Sequence, residues 1–255
     1  MILFVLEGER REAMLFESIE RLFFSRPNDN IVCSFGNNIY ELYRQMRSLG
    51  GGADIVGVMK ENGRIDAGVN ASDFSDVFLF FDLDIHNHNQ SIDESRRQLR
   101  EMLSYFDNET ENGRLYVNYP MIESIYHTDL LPDGNYCNYT VGIDYCSDYK
   151  RIAREFGPYS NLDHLCVNDR NIGRPEMVSR IRSNWLHLVD MNASKAATLC
   201  DINSGVEGIK GKVDQIDIFD SQDRKYISPS KEVAVLNGFP LFLVFQWLEQ
   251  TMFII

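Results

Sequence analysis

Asp76-Val77-Phe78-Leu79-Phe80-Phe81-Asp82-Leu83-Asp84 decides the fold. The apolar run from Val77 to Phe81 passes into an acid, one spacer and a second acid. A continuous apolar run bounded by polar residues reads as a strand buried on both faces, as in a parallel sheet. Open α/β sheets place their chemistry at the carboxyl ends of such strands. Asp82 and Asp84 stand at that end, two residues apart. Once strand pairing stops, both carboxylates can turn toward one point. Like charges repel there, so the pair asks for a cation, and hard oxygen ligands suit magnesium, manganese or calcium.

Working outward, Ile2-Leu3-Phe4-Val5-Leu6 is a second apolar run, followed at once by Glu7-Gly8-Glu9. A helical pattern starts near Arg11, with Glu12 in its first turn. Glu7 therefore lies in a strand-to-helix turn, where Gly8 permits a tight bend or close approach of a ligand. If these two strands are neighbours, Glu7, Asp82 and Asp84 converge on one crevice.

The run Val5-Leu6-Glu7-Gly8-Glu9 with Glu12, followed by Phe81-Asp82-Leu83-Asp84, resembles a Toprim domain over roughly the first half of the chain. Toprim domains occur in topoisomerases, primases and nucleases, including the overcoming-lysogenization-defect nucleases. Their pattern is a glutamate and glycine after strand one and Asp-x-Asp after strand three. A second glutamate five residues after the first, as at Glu12, is similar to the nuclease branch found in bacterial phage-defence systems. The resemblance implies a Mg²⁺- or Mn²⁺-dependent nuclease acting on DNA or RNA, tRNA included, as the effector of an anti-phage system. It also implies a separate ABC-type ATPase as partner, and the chain has no Gly-x-x-x-x-Gly-Lys loop of its own.

Periodicity fills in the chain. Residues 11–24 read as a helix, 31–35 as a strand, and a second helix starts after the N-cap Asn38. Ile55 to Met59 is open between strand and helix. Ser91 caps a third helix, with Glu94 three residues on. Leu115 to Val117 is a fourth strand. Strands alternating with helices predict a parallel sheet with flanking helices over residues 1–127. Residues 128–255 read as a mainly helical extension, packed on the first part or continuous with it. It has helices at 145–156 and 175–200 and one or two helices over 231–249, with Pro240 ending or kinking the first. The expected class is α/β: a Toprim-like parallel sheet followed by a mainly helical C-terminal portion.

The 255 residues carry a net charge of −13, with 44% hydrophobic and 12% aromatic content. Such a chain folds. A free-standing nucleic-acid binder is usually basic, so the charge counts against a simple DNA-binding module. It leaves room for a nuclease whose cations invert the local charge, fed by a basic partner or a restricted basic patch. Five cysteines without zinc-site spacing point to a reduced, cytoplasmic protein. The apolar start is too short for a signal peptide. The tail from Val233 is broken by Asn237, Gly238, Pro240, Gln246 and Glu249, short of the ~18 unbroken apolar residues of a spanning helix.

Several further residues are candidates. Glu123, after Tyr119-Pro120, is either a second-metal ligand or a structural acid at a helix start, and Pro120 suits a first helical turn. His86, two residues past Asp84, is a surface residue or a contact to the scissile phosphate, and Arg11 is a possible substrate contact beside the glutamate loop. Phosphoryl transfer needs positive charge for the developing oxyanions. Arg10, Arg11, Lys195, Lys210 and Lys212 qualify by type. The overcoming-lysogenization-defect nucleases use a lysine beyond Asp-x-Asp, and Lys195 is its expected counterpart.

Two other functions compete. Phe81-Asp82-Leu83-Asp84 resembles the nucleophile motif of haloacid-dehalogenase-type phosphatases, but His86 stands where that family has Thr or Val, and a strand and the Glu7 loop precede the motif. A non-catalytic interaction subunit with a Toprim-like fold would suit the acidic charge and the apolar tail. In that tail Phe239, Leu241, Phe242, Leu243, Phe245 and Trp247 exceed what one helix face can bury, which predicts an exposed interface for the ATPase or for a second copy.

Overall fold

The computed structural model describes residues 1–24, 30–50, 54–85, 90–203 and 205–246. His86, Trp247 and Glu249 lie outside the described residues. Five strands form the central sheet: β1 (Ile2–Leu6), β2 (Asn30–Ser34), β3 (Asp76–Asp82), β4 (Asp107–Asn108) and β5 (Gly113–Asn118). Their spatial order is β2-β1-β3-β5-β4. All pairings are parallel except β4 with β5. Leu6 lies opposite Phe80 and Ser34, and Asp82 opposite Asn118. The carboxyl ends of β1, β3 and β5 therefore share one edge.

The helices of the first half are α1 (Arg11–Phe23), α2 (Ile39–Ser48), α3 (Ile55–Glu61) and α4 (Ile92–Tyr105). Asn38 and Ser91 cap α2 and α4, accepting from the amides of Glu41 and Glu94. Asp54 accepts from Gly57 N at 2.6 Å and starts α3, which settles the ambiguous stretch as a helix. The Tyr119–Pro120 peptide is cis and a short 3₁₀ turn, Ile122–Tyr126, follows, so Pro120 precedes that turn instead of opening it.

Beyond it lie β6 (Thr140–Gly142), α5 (Tyr149–Phe156), α6 (Pro175–Leu199), α7 (Val206–Ile209), α8 (Gln215–Gln222), the short α9 (Ser228–Ser230), β7 (Glu232–Ala234) and α10 (Gly238–Gln246). The expected helix from residue 231 is instead a strand, β7, paired antiparallel with β6, followed by α10. Pro240 sits in the first turn of α10, where a missing N–H costs nothing. Among the described residues no helix is long and apolar enough to cross a membrane.

Both faces of the sheet are covered. On one, Phe4, Phe78, Phe80 and Tyr116 form an aromatic layer under α1 and α10. Phe16 of α1 lies 4.1 Å from Phe4, Phe239 of α10 stacks on Phe80 at 4.4 Å, and Phe242 meets Phe4, Phe78 and Phe80 within 5.0–5.8 Å. On the other face Phe81 packs on Phe35, and α2 and α4 are joined by Tyr43 Oη donating to Glu101. Buried residues from both halves of the chain make one contiguous core.

Across residues 239–244 this placement overturns the exposed-tail expectation, while Trp247 lies outside the described residues. Phe239, Leu241, Phe242, Leu243 and Val244 are all at most 1% exposed, and Phe245 is partly buried against the core. α10 lies between the sheet and α6, so it has no solvent face across these residues and needs no partner to cover them. Phe242→Ala is expected to cost about 3–5 kcal/mol, read as a lower denaturation midpoint in urea. A loss below about 1 kcal/mol would mean that α10 does not complete the core.

Candidate active site

Glu7 follows β1 directly. Its N–H donates to Phe80 O at 3.0 Å, and its carboxylate Oε2 accepts from the amide of Asp82 at 2.8 Å. Asp82 is the last residue of β3 and only 6% exposed, and Asn118 Nδ2 donates to its Oδ1 at 3.0 Å. Leu83 is pinned between the two acids: its amide donates to the carbonyls of Asn118 and Pro120, and its carbonyl accepts from Tyr40 Oη at 2.7 Å. Asp84 then adopts φ +44°, a left-handed conformation that Asp tolerates better than most residues. That bend re-aims the chain, and both Asp82 and Asp84 line one cleft with Glu7.

The cleft is open and measures about 710 Å³. Glu12, from the first turn of α1, is buried within its wall, against Gly8. A Cβ at position 8 would run into the Glu12 carboxylate, so the glycine makes room for that acid. Glu123 is fully buried; Arg11 pairs with its Oε1, and its Oε2 has no hydrogen-bond partner. Lys150, on α5, lines the same cleft.

These acids perturb one another. Burial pushes the Glu7 carboxyl well above the usual range, and the Asp84 charge adds to it, while the Asp82 amide opposes. Burial raises Asp82 likewise, helped by Glu7 and then Asp84. Glu12 is raised by burial and, less, by Glu123. The charge of Lys150 works the other way on Glu7 and Glu12. A site that crowds acids against their own ionisation is stabilised by an added cation.

Among the described residues, no group of three or more Asp, Glu, His or Cys side chains is placed to hold a metal ion. The carboxylates line an open cleft instead. Mg²⁺ keeps several waters and takes one or two protein carboxylates, so a pair such as Asp82 and Asp84 is the most that this cleft would have to supply. The buried, unpartnered Glu123 Oε2 is a further donor with no partner of its own.

The cleft thus gathers Glu7, Glu12, Asp82, Asp84, Glu123 and Arg11 of the sequence-derived set. It does not gather Lys195. That residue is 1% exposed on α6, its Nζ donates to the carbonyls of Tyr136 at 2.9 Å and Tyr139 at 2.6 Å, and it lies over the Tyr136 ring. Burial lowers its pKa to about 7. Its amine ties α6 to the 136–139 turn, and the lysine of the cleft is Lys150. Nothing local in the sequence singles out Lys150, an ordinary cation on an amphipathic helix. Asn118 had a signal, as the polar residue ending the apolar run of β5 at the same edge.

No family model, curated protein or solved structure matches the chain.

The raised carboxyls set a pH dependence. A raised folded-state pKa means the folded protein holds protons that the unfolded chain has released above about pH 4. The associated stability is complete below that pH and is lost as pH rises through the raised values. Asp82→Asn is therefore expected to raise the melting temperature by a few degrees at neutral pH in EDTA and to change it little near pH 4. Mg²⁺ should stabilise the wild type more than the variant. Parallel pH curves for the two proteins would show that the acids do not repel.

Proposed function

We propose that the chain is a divalent-cation-dependent nuclease of the Toprim type, with Glu7, Asp82 and Asp84 at its centre. The observation that carries this is their meeting at one sheet edge, after the first and third strands in sequence, in a cleft where crowding opposes their ionisation. Asp82 and Asp84 would hold Mg²⁺ or Mn²⁺, with Glu12 and Glu123 as further carboxylates beside it. Bound there, the cation would offset the carboxylate charge and polarise a phosphodiester.

The chain's own groups divide the remaining work. The Asp82 amide fixes one oxygen of Glu7 and so orients its carboxylate as the group that would accept a proton from water. Lys150 supplies mobile positive charge for the developing oxyanion. Arg11 is partly exposed and holds Glu123, so it fixes the wall of the cleft as well as facing a substrate. A phosphatase using Asp82 as nucleophile is less well supported, because that carboxylate is buried and engaged by Asn118. The role as a phage-defence effector beside a separate ABC-type ATPase rests on the motif resemblance. The buried α10 provides no docking surface for it across residues 239–244.

The test is incubation with DNA duplexes, single strands and tRNA, with and without Mg²⁺ or Mn²⁺. Cation-dependent cleavage is expected, with Glu7→Gln and Asp82→Asn each reducing it by at least about 100-fold. Lys150→Ala should lower the rate by about 10–100-fold without changing the melting temperature. Cleavage by Asp82→Asn at the wild-type rate would refute the assignment.

A further inference from the structure

An acidic chain that acts on a polyanion has to hold it somewhere other than among its carboxylates. Elsewhere in the molecule most arginines are taken up by acids, among them Arg96 and Arg100 by Asp223, Arg97 by Glu94 and Arg114 by Glu109, and Arg10, at the cleft, and Arg154 are exposed exceptions. The stretch from 170 to 180 is different. Arg170, Arg174 and Arg180 are all exposed, and among the described residues none of the three is in an ion pair. Arg174 and Arg180 line an open groove of about 690 Å³ with Pro175, Met177 and one carboxylate, Glu176.

The patch is rigidly presented. Asn171 is 7% exposed; its Oδ1 accepts from Asn168 N at 2.7 Å and its Nδ2 donates to Cys166 O at 2.9 Å. The preceding segment is fastened to α1, since Ser18 Oγ donates to Leu165 O and accepts from Val167 N. Arg21, near the end of α1, reaches Asp169 at 2.9 Å. Asp169, the acid just before the patch, is thereby paired, which leaves Glu176 as the carboxylate within it.

We propose that this arginine groove binds the phosphodiester backbone of the nucleic acid that enters the cleft, as a second contact away from the reacting bond. The proposal rests on the nuclease assignment for what the cleft does, but the binding can be measured without it. The two places are linked by α1, whose Arg11 lines the cleft and whose Arg21 meets the patch. Ten residues of helix span ~15 Å at ~1.5 Å each. The apolar Pro175 and Met177 give the groove a surface for sugars between the charges.

The experiment compares wild type with Arg170→Gln/Arg174→Gln/Arg180→Gln, with Arg151→Gln as an exposed-arginine control. Fluorescence anisotropy with a labelled 24-base-pair duplex in EDTA, at several salt concentrations, reads the patch. Hydrolysis of bis(p-nitrophenyl) phosphate with Mn²⁺ reads the cleft. The triple variant is expected to bind the duplex at least about tenfold more weakly, with a salt slope smaller by about 2–3, and to hydrolyse the small ester as the wild type does. Unchanged duplex binding, or equal loss in Arg151→Gln, would overturn the proposal. Competition by polyglutamate as strong as by duplex would reassign the groove to an acidic protein surface and also overturn it. Patch-dependent duplex binding by a wild type that leaves the small ester intact would refute the nuclease assignment while upholding the groove.

Discussion

A parallel sheet has two faces, and both must be kept from water. That constraint organises this molecule. The apolar strands β1 and β3 leave no solvent-facing side, so α1 alone cannot finish the face that Phe4, Phe78, Phe80 and Tyr116 present. The chain supplies the missing cover from residues 238–246, more than a hundred positions after β5. The same strands, run parallel and in register, deliver their following residues to one edge. Acids placed after β1 and β3 therefore meet without any local motif joining them.

Cover and acid edge are connected by a single side chain. Asn118 donates through Nδ2 to Asp82 Oδ1 and accepts through Oδ1 from Gly238 N at 3.0 Å, at the start of α10. Gly238 sits against the backbone of Tyr116 and Val117, where a Cβ would be 3.2 Å from Val117 O. Next to it, Asn237 donates to Ile122 O and Ser124 Oγ, on either side of Glu123, and its amide donates to Asn192 Oδ1 on α6. The C-terminal residues thus hold the floor and wall of the cleft as well as the core. Lys150 reaches it from the same half of the chain.

What the sequence shows of this follows from which patterns have a fixed period. Strands bounded by acids, and helices with capping residues such as Asn38 and Ser91, are readable because a local rule produces them. Of the six carboxylates that line the cleft, Glu7, Glu12, Asp82, Asp84 and Glu123 were readable for the same reason, since each follows a strand or opens a helix, and Glu9 was not singled out. α10 was misread because an amphipathic count assumes one wet face, and a helix enclosed between a sheet and another helix has none. Lys150 and Lys195 show the converse failure. Position along a helix does not reveal whether a lysine faces a cleft or the interior, and the irregular path from 119 to 148 sets that choice through tertiary contacts.

The central claim is that Asp82 and Asp84 would hold a divalent cation beside Glu7, and Mn²⁺ binding read by electron paramagnetic resonance tests it most directly. Titration of the wild type at neutral pH is expected to show at least one bound Mn²⁺ per chain, displaced by excess Mg²⁺. Asp82→Asn should weaken that binding by about 10–100-fold while the protein stays folded. Equal Mn²⁺ binding by the wild type and by Asp82→Asn, or none by either, would contradict the account.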